Sequence, residues 1–420
     1  MTRRSVLAGV SAAAAAITPA LGGSKTGAIV PSAGERTFDP IRHGFGFYNR
    51  RTQEGPYPET DGDLEDDWSD SFERAFDRPI TDLPAGLRDA LAQHAREGVL
   101  EATRTNGYCY GMVFAAQRYF EEPETIPSGF EHASEITRPN APEASDGTPV
   151  LDEIVECHTA QYLDFDAWLG RYGLLDPALI DYESQLSELL ATVDAVGTAG
   201  ITVFRAESVR SHQVLVYDYE RRPGRTTLFA YDPNYAADTY ERFTYTIEID
   251  TTGAEPTPRP VEYGVPYDQF VHNEHDREIR ARHEGSTRLF QADADPYDRL
   301  FGTTVFVTGD PAVETTVFDP AGGRLDHTRG PEPLCYRYGA ETGTYSIAVT
   351  AVESGEYALD VHAGSAHRDF LDETIEGSIE AGETHRYGLT LDRDGATLEN
   401  SVSGAAALGI VGGYAYHRRG

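Results

Sequence analysis

An α+β fold is predicted by three observations along the chain. Apolar residues recur at helical spacing up to about residue 193, alternate from about residue 200, and form short glycine-punctuated runs beyond residue 299. The first long helical pattern runs from Pro84 to Arg104, with Leu87, Leu91, His94 and Val99 near a 3.6-residue period, and Asn106-Gly107 breaks it. A second helix is expected from Gly111 to Phe120, carrying Val113, Ala116 and Phe120 on one face. Residues 121–149 form a Pro/Gly/Ser-rich excursion, after which helical spacing returns over Leu151–Leu163, Phe165–Tyr172 and Leu175–Val193.

Period-two runs then predict strands at Gly200–Phe204, His212–Tyr219, Thr226–Tyr231 and Phe243–Ile249. Helices first and an antiparallel sheet second give the α+β layout. After Arg299, Thr303–Thr308, Val313–Phe318, Thr344–Val352 and Glu356–His362 are separated by turns such as Asp319-Pro320-Ala321-Gly322-Gly323. Regular short strands with such turns predict a β-sandwich of about 100 residues. Ahead of the helices, the aromatic-glycine cluster from His43 to Asn49 is expected to pack on the core, and residues 55–72 read as an acidic solvated loop. The 41–100 stretch fits an inhibitory segment as well as it fits core.

Composition narrows the functional classes. The chain has 420 residues, 40% of them hydrophobic, enough for more than one real core. Asp and Glu number 69 against 35 Lys and Arg, a net charge of −34, and Lys25 is the only lysine. Acidity with lysine almost absent fits a surface adapted to molar salt, where screening mutes carboxylate repulsion. The same balance excludes nucleic acid as a partner, because phosphate binding needs basic patches.

The N-terminus, Thr2-Arg3-Arg4-Ser5-Val6-Leu7 followed by an Ala-rich run to about Leu21, reads as a twin-arginine signal ending near Ser24. Export to the cell surface or medium follows, and a fortuitous arginine pair before a helix is the alternative. The tail from Ser401 to Tyr416 is uncharged and ends in His417-Arg418-Arg419-Gly420. It is shorter than the ~20 residues a membrane span needs, so it reads as a closing strand or frayed end, with a weak surface anchor as the second reading. Cys109, Cys157 and Cys335 make an odd count, so one thiol is left over even if Cys157 and Cys335 pair.

That odd thiol sits where chemistry is cheapest. In Asn106-Gly107-Tyr108-Cys109-Tyr110-Gly111-Met112 a glycine-bracketed turn opens the second helix, and amide dipoles at a helix N-terminus stabilise a thiolate. Acyl chemistry at cysteine also needs a histidine to exchange protons and a group that fixes the imidazole. His212 opens the apolar strand His-Gln-Val-Leu-Val-Tyr. Asp232 ends the next strand within Tyr231-Asp232-Pro233-Asn234-Tyr235, so a hairpin brings it beside His212 to accept the Nδ1 proton. Asn234 competes with Asp232 as orienter, and both residues also suit the turn itself. Taken singly, each residue has a structural reading; the order and the elements together favour the catalytic one.

Gly107-Tyr108-Cys109-Tyr110-Gly111-Met112, the His212–Tyr217 run and Tyr231–Tyr235 resemble the papain-like cysteine peptidase superfamily, in particular a secreted microbial branch. The resemblance covers roughly residues 40–290. It implies a papain-like catalytic domain with Cys109 as nucleophile, His212 as base and Asp232 as orienter. Such enzymes usually carry an oxyanion-hole glutamine six residues before the cysteine, where this chain has Thr103; Asn106 is the candidate substitute, with the Cys109 backbone N–H as second donor.

Other clusters are weaker. Cys157 and His158 are neighbours whose side chains diverge on a helix. His272, His275 and His283 lack zinc-enzyme spacing, and Asp293, Asp295 and Asp298 lack EF-hand spacing, so no metal and no cofactor are expected. The expected layout is a signal peptide at 1–24, a catalytic domain at 36–298, a β-sandwich at 299–400 and the tail at 401–420. The expected function is an exported hydrolase acting on a peptide or protein substrate. Transglutaminase-like or amidase acyl transfer uses the same triad order, and a catalytically silent surface binding or adhesion protein is the non-enzyme alternative.

Overall fold

The computed structural model describes residues 37–49, 68, 72–73, 75–105, 107–139, 150–163, 165, 169, 179–205, 208–253, 256–258, 267–273, 289, 296–328 and 333–400. The signal peptide, the tail, and the stretch holding His275, His283, Asp293 and Asp295 lie outside these residues. Among those described, no helix is long and apolar enough to cross a membrane, and no group of three or more His, Cys, Asp or Glu is placed to hold a metal.

Six helices are described: α1 (Pro40–His43), α2 (Ala85–Thr105), α3 (Cys109–Glu121), α4 (Val150–Leu163), α5 (Tyr182–Val196) and α6 (Pro296–Phe301). The two helices bracketing Asn106-Gly107 match the sequence expectation closely, and α3 begins at the cysteine itself. Buried residues surround α3 on nearly every side, Tyr110 to Gln117 and Tyr119-Phe120, so it is the central helix of the core and not a surface amphipath. It lies against α4 at a distance only glycine permits. A Cβ on Gly111 would stand 1.9 Å from the carbonyl oxygen of Ile154. α5 is punctuated as its sequence demands, with Asp181 capping the Ser184 N–H at 2.9 Å and Gly197 leaving in the left-handed region at φ 87°.

The acidic stretch before Pro84 corrects one expectation. Trp68 and Phe72, expected in a solvated loop, are helical and buried, and Ala75 and Phe76 continue the pattern. Their spacing is that of one helix face, and Glu73 between them is exposed. Phe72 and Phe165 meet at a tilt with ring centroids 5.0 Å apart, and the fully buried Phe45 meets Tyr119 edge-on. These residues of the 41–100 stretch are therefore core.

The first sheet has strands β1 (Ala199–Arg205), β2 (Ser208–Arg222), β3 (Arg225–Tyr231), β4 (Tyr245–Asp250), β5 (Thr257–Pro258) and β6 (Gln269–Asn273), antiparallel in the order β5-β4-β3-β2-β1-β6. β2 and β3 form a hairpin closed by Pro223-Gly224, with Gly224 at φ 75°, the conformation that the second turn position of a Pro-Gly pair requires. A bulge at Tyr217 interrupts the ladder. On the turn side Asp218 pairs with Phe229, whereas on the far side Val216 pairs with Ala230 and Leu215 with Tyr231. Were Tyr217 paired in the ladder instead of bulged out, the turn-side register would run on, Leu215 would face Asp232, and the aspartate would fall on the sheet face away from His212, because a one-residue slip inverts every side chain.

The remaining strands are β7 (Thr304–Gly309), β8 (Val313–Phe318), β9 (Asp326–His327), β10 (Leu334–Tyr338), β11 (Gly343–Ala351), β12 (Gly355–Ser365), β13 (Arg368–Ile379), β14 (Thr384–Asp392) and β15 (Gly395–Asn400). They make one sheet in the order β13-β12-β7-β10-β9 and another in the order β15-β14-β11-β8. Val305, Val307, Val361 and Leu359 of the first share an apolar core with Val317, Ile347, Val349 and Leu389 of the second. The alternation of buried and exposed residues along β8 and β11 produces that shared core.

Helix α2 bridges the two halves. His94 lies over Tyr336 with ring centroids 4.0 Å apart, and its Nδ1 is 2.9 Å from the Tyr338 hydroxyl. Gly86 lies under the His362 ring, where a Cβ would approach within 2.9 Å. All three cysteines are thiols, so the alternative of a Cys157–Cys335 bridge is not realised.

Candidate functional site

The helix of the cysteine and the hairpin of the histidine meet at one end of the first sheet. Tyr108 is the N-cap residue of α3, and its carbonyl accepts the Met112 N–H at 2.8 Å to open the helix. Cys109 is thus the first helical residue, where the leading N–H groups have no intrahelical partner and the macrodipole is positive.

His212 is buried in β2, opposite Val203 of β1, and the Cys109 side chain is hydrogen-bonded to its ring. Its Nε2 lies 2.8 Å from Asp232 Oδ1. The sequence expectation is corrected here: the aspartate takes Nε2, not Nδ1, which leaves Nδ1 for the thiol. Ring orientation depends on the rotamer that packing selects, which residue order does not encode. Burial alone would lower the His212 pKa. The Asp232 carboxylate, its hydrogen bond and then Cys109 outweigh burial and push it up to about 10, so the ring is an imidazolium at neutral pH.

Asp232 is fully buried just beyond β3. Its Oδ1 also accepts the Asn234 N–H at 2.8 Å, while Oδ2 has no hydrogen-bond partner among the described residues. Its backbone is clamped by Tyr240, whose hydroxyl accepts the Asp232 N–H at 2.6 Å and donates to its carbonyl at 3.2 Å. A carboxylate with so few competing donors directs its charge at the imidazole. Asn234, the alternative orienter, is present too, with Nδ2 3.2 Å from His212 Nε2. Tyr267 lies parallel over the histidine, centroids 6.4 Å apart and planes 24° apart.

Of the oxyanion candidates, Thr103 lies in the last two turns of α2 with its side chain outside the described residues, and Asn106 lies outside them altogether. Two residues beyond the sequence reading contribute. His158, set aside in the sequence because its side chain diverges from that of Cys157, accepts the Gly111 N–H at 3.4 Å through Nδ1 and meets Tyr108 edge-on at 5.4 Å, so it serves the first turn of α3. Asn49, at the end of the aromatic-glycine cluster, bonds to the Tyr108 N–H at 2.8 Å and to Asn234 Oδ1 at 3.1 Å. No spacing in the sequence links Asn49 to either partner; only its place beside glycine and aromatic residues marks it.

The arrangement can hold a thiolate beside an imidazolium and pass a proton through Nδ1 while Asp232 fixes Nε2. No protein-family model matches this chain, and neither does any curated protein or solved structure.

Proposed function

We propose that this chain is an exported cysteine-nucleophile hydrolase of papain-like type that cleaves peptide or amide bonds. The observation that carries the reading is the His212 ring held between the Cys109 thiol and the Asp232 carboxylate. The two sheets after Arg299 are read as a β-sandwich accessory domain, and the acidic, lysine-poor composition as an adaptation to molar salt.

In this reading the Cys109 thiolate attacks the substrate carbonyl carbon, and the developing oxyanion is met by N–H groups at the start of α3. His212 delivers its Nδ1 proton to the leaving amine as the C–N bond breaks. Water then attacks the thioester, His212 takes a proton from it, and the C–S bond breaks to release the carboxylic acid. Asp232 holds the ring orientation throughout and stabilises its charged form.

The test is labelling of Cys109 by an epoxide probe in molar salt, with hydrolysis of an unfolded protein substrate measured in parallel. Wild type should label and cleave, and His212→Ala should do neither. An unreactive Cys109, or one equally reactive in His212→Ala, overturns the reading.

A further inference from the structure

We propose that Asn49 is a positioning residue for this site, coupling the turn that presents Cys109 to the amide that flanks His212 through one directed chain of hydrogen bonds. The role rests on the cysteine-hydrolase reading above.

The direction of the chain is fixed at its first link. A backbone N–H can only donate, so the Asn49 atom 2.8 Å from the Tyr108 nitrogen is the carbonyl oxygen Oδ1. Asn49 Nδ2 therefore faces Asn234, 3.1 Å away, and the atom it meets there must accept, which makes it Oδ1. The Asn234 amide nitrogen is then the atom left 3.2 Å from His212 Nε2. A second tie runs from the Asn49 N–H to the Pro233 carbonyl at 2.7 Å. Asn49 thus grips both the turn before Cys109 and the turn after β3. The space is reserved for it: a Cβ on Gly107 would stand 2.5 Å from Asn49 Oδ1.

The chain has an electrostatic consequence. His212 Nε2 carries its proton toward Asp232, while the Asn234 amide presents the positive end of its dipole to the same nitrogen. That dipole opposes the carboxylate and keeps the imidazolium from becoming too weak an acid to release its proton. Freed from Asn49, the amide would turn its oxygen to Nε2–H and bind the proton more tightly. The other titratable groups near the ring are Cys109 from α3 and Tyr267 ahead of β6, with Tyr245 of β4 beside Asp232.

The experiment is the pH profile of Cys109 alkylation by iodoacetamide, measured on the full chain in molar salt for wild type, Asn49→Asp, Asn49→Ala and His212→Ala. Asn49→Asp keeps an acceptor for Tyr108 but cannot donate to Asn234, and it adds negative charge. Its alkaline limb, set by loss of the imidazolium proton, should move up by roughly half a unit or more with thermal stability near wild type. Asn49→Ala should slow alkylation at neutral pH roughly tenfold by loosening the Cys109 turn. Profiles for both Asn49 variants that match wild type, or an Asn49→Asp limb that moves down, overturn the role if His212→Ala still changes the profile. A His212→Ala profile identical to wild type overturns the cysteine–histidine pairing itself, and this role falls with it.

Discussion

Gly111 and Ile154 hold the Cys109 helix in place: where a side chain would begin on Gly111, the Ile154 carbonyl oxygen is 1.9 Å away. A backbone oxygen cannot swing aside as a side chain can, so α3 or α4 must shift to admit even a methyl group. Gly111→Ala should therefore destabilise the fold by about 1–3 kcal/mol, read as a lowered thermal midpoint. Because Cys109 lies two residues away, its alkylation rate should fall with it. An unchanged midpoint would mean that the two helices are not packed this closely.

Asp232→Asn tests the electrostatics of the pair with little change of shape. Removing the carboxylate removes the main force that raises the His212 pKa, so the alkaline limb of Cys109 reactivity should move to lower pH. Turnover should fall roughly 10²- to 10⁴-fold, as expected when an orienting carboxylate is replaced by an amide. A profile that stays in place would assign the raised pKa to another group.

The same shift couples His212 to stability. Its folded pKa lies above the unfolded value of 6.5, so its contribution is complete below pH 6.5 and is lost as pH rises through about 10. The alkaline fall in thermal midpoint should be shallower in Asp232→Asn than in wild type, as scanning calorimetry across that window would record.

At the acid end His94 contributes, in the same sense as the half-buried His43 and the buried His362. Burial lowers its pKa from 6.5 to about 3, so the unfolded chain binds a proton that the folded chain refuses. Stability should be full above pH 6.5 and decline as pH falls toward 3. His94→Phe, which keeps a ring against Tyr336, should flatten that decline; an equally steep one would exclude His94 as the cause.

The three thiols should separate cleanly by reactivity. Burial pushes Cys157 up to about 12 and Cys335 up to about 11, whereas Cys109 opens a helix beside an imidazolium. Brief iodoacetamide treatment of the native protein near pH 8 should modify Cys109 alone, as peptide mass spectrometry would show. Comparable labelling of Cys157, which is partly buried like Cys109, would contradict its raised pKa.

Much of the site is legible in the sequence because local rules govern it. Asn-Gly ends one helix and the cysteine starts the next; a hairpin of apolar strands must bring residues near 212 and 232 together. What escaped reading depends on packing across long separations. Asn49 meets Tyr108 and Asn234 only through the tertiary fold, and the choice of Nε2 over Nδ1 is a rotamer decision. Trp68 and Phe72 were obscured for another reason: the surrounding sequence is so rich in Asp, Glu and Pro that its apolar period does not stand out.

The bulge at Tyr217 divides the β2–β3 hairpin into two zones of unequal tolerance to insertion and deletion. Between Asp218 and Phe229, a matched change in both arms would keep His212 and Asp232 on one face, its cost falling on the pairing of β3 with β4. Between Tyr217 and His212, loss of a single residue would turn the histidine and the aspartate to opposite sides of the sheet. Length variation in this hairpin should therefore gather at its tip, while the four residues between His212 and Tyr217, Gln213 to Val216, stay fixed in number even if their identities drift.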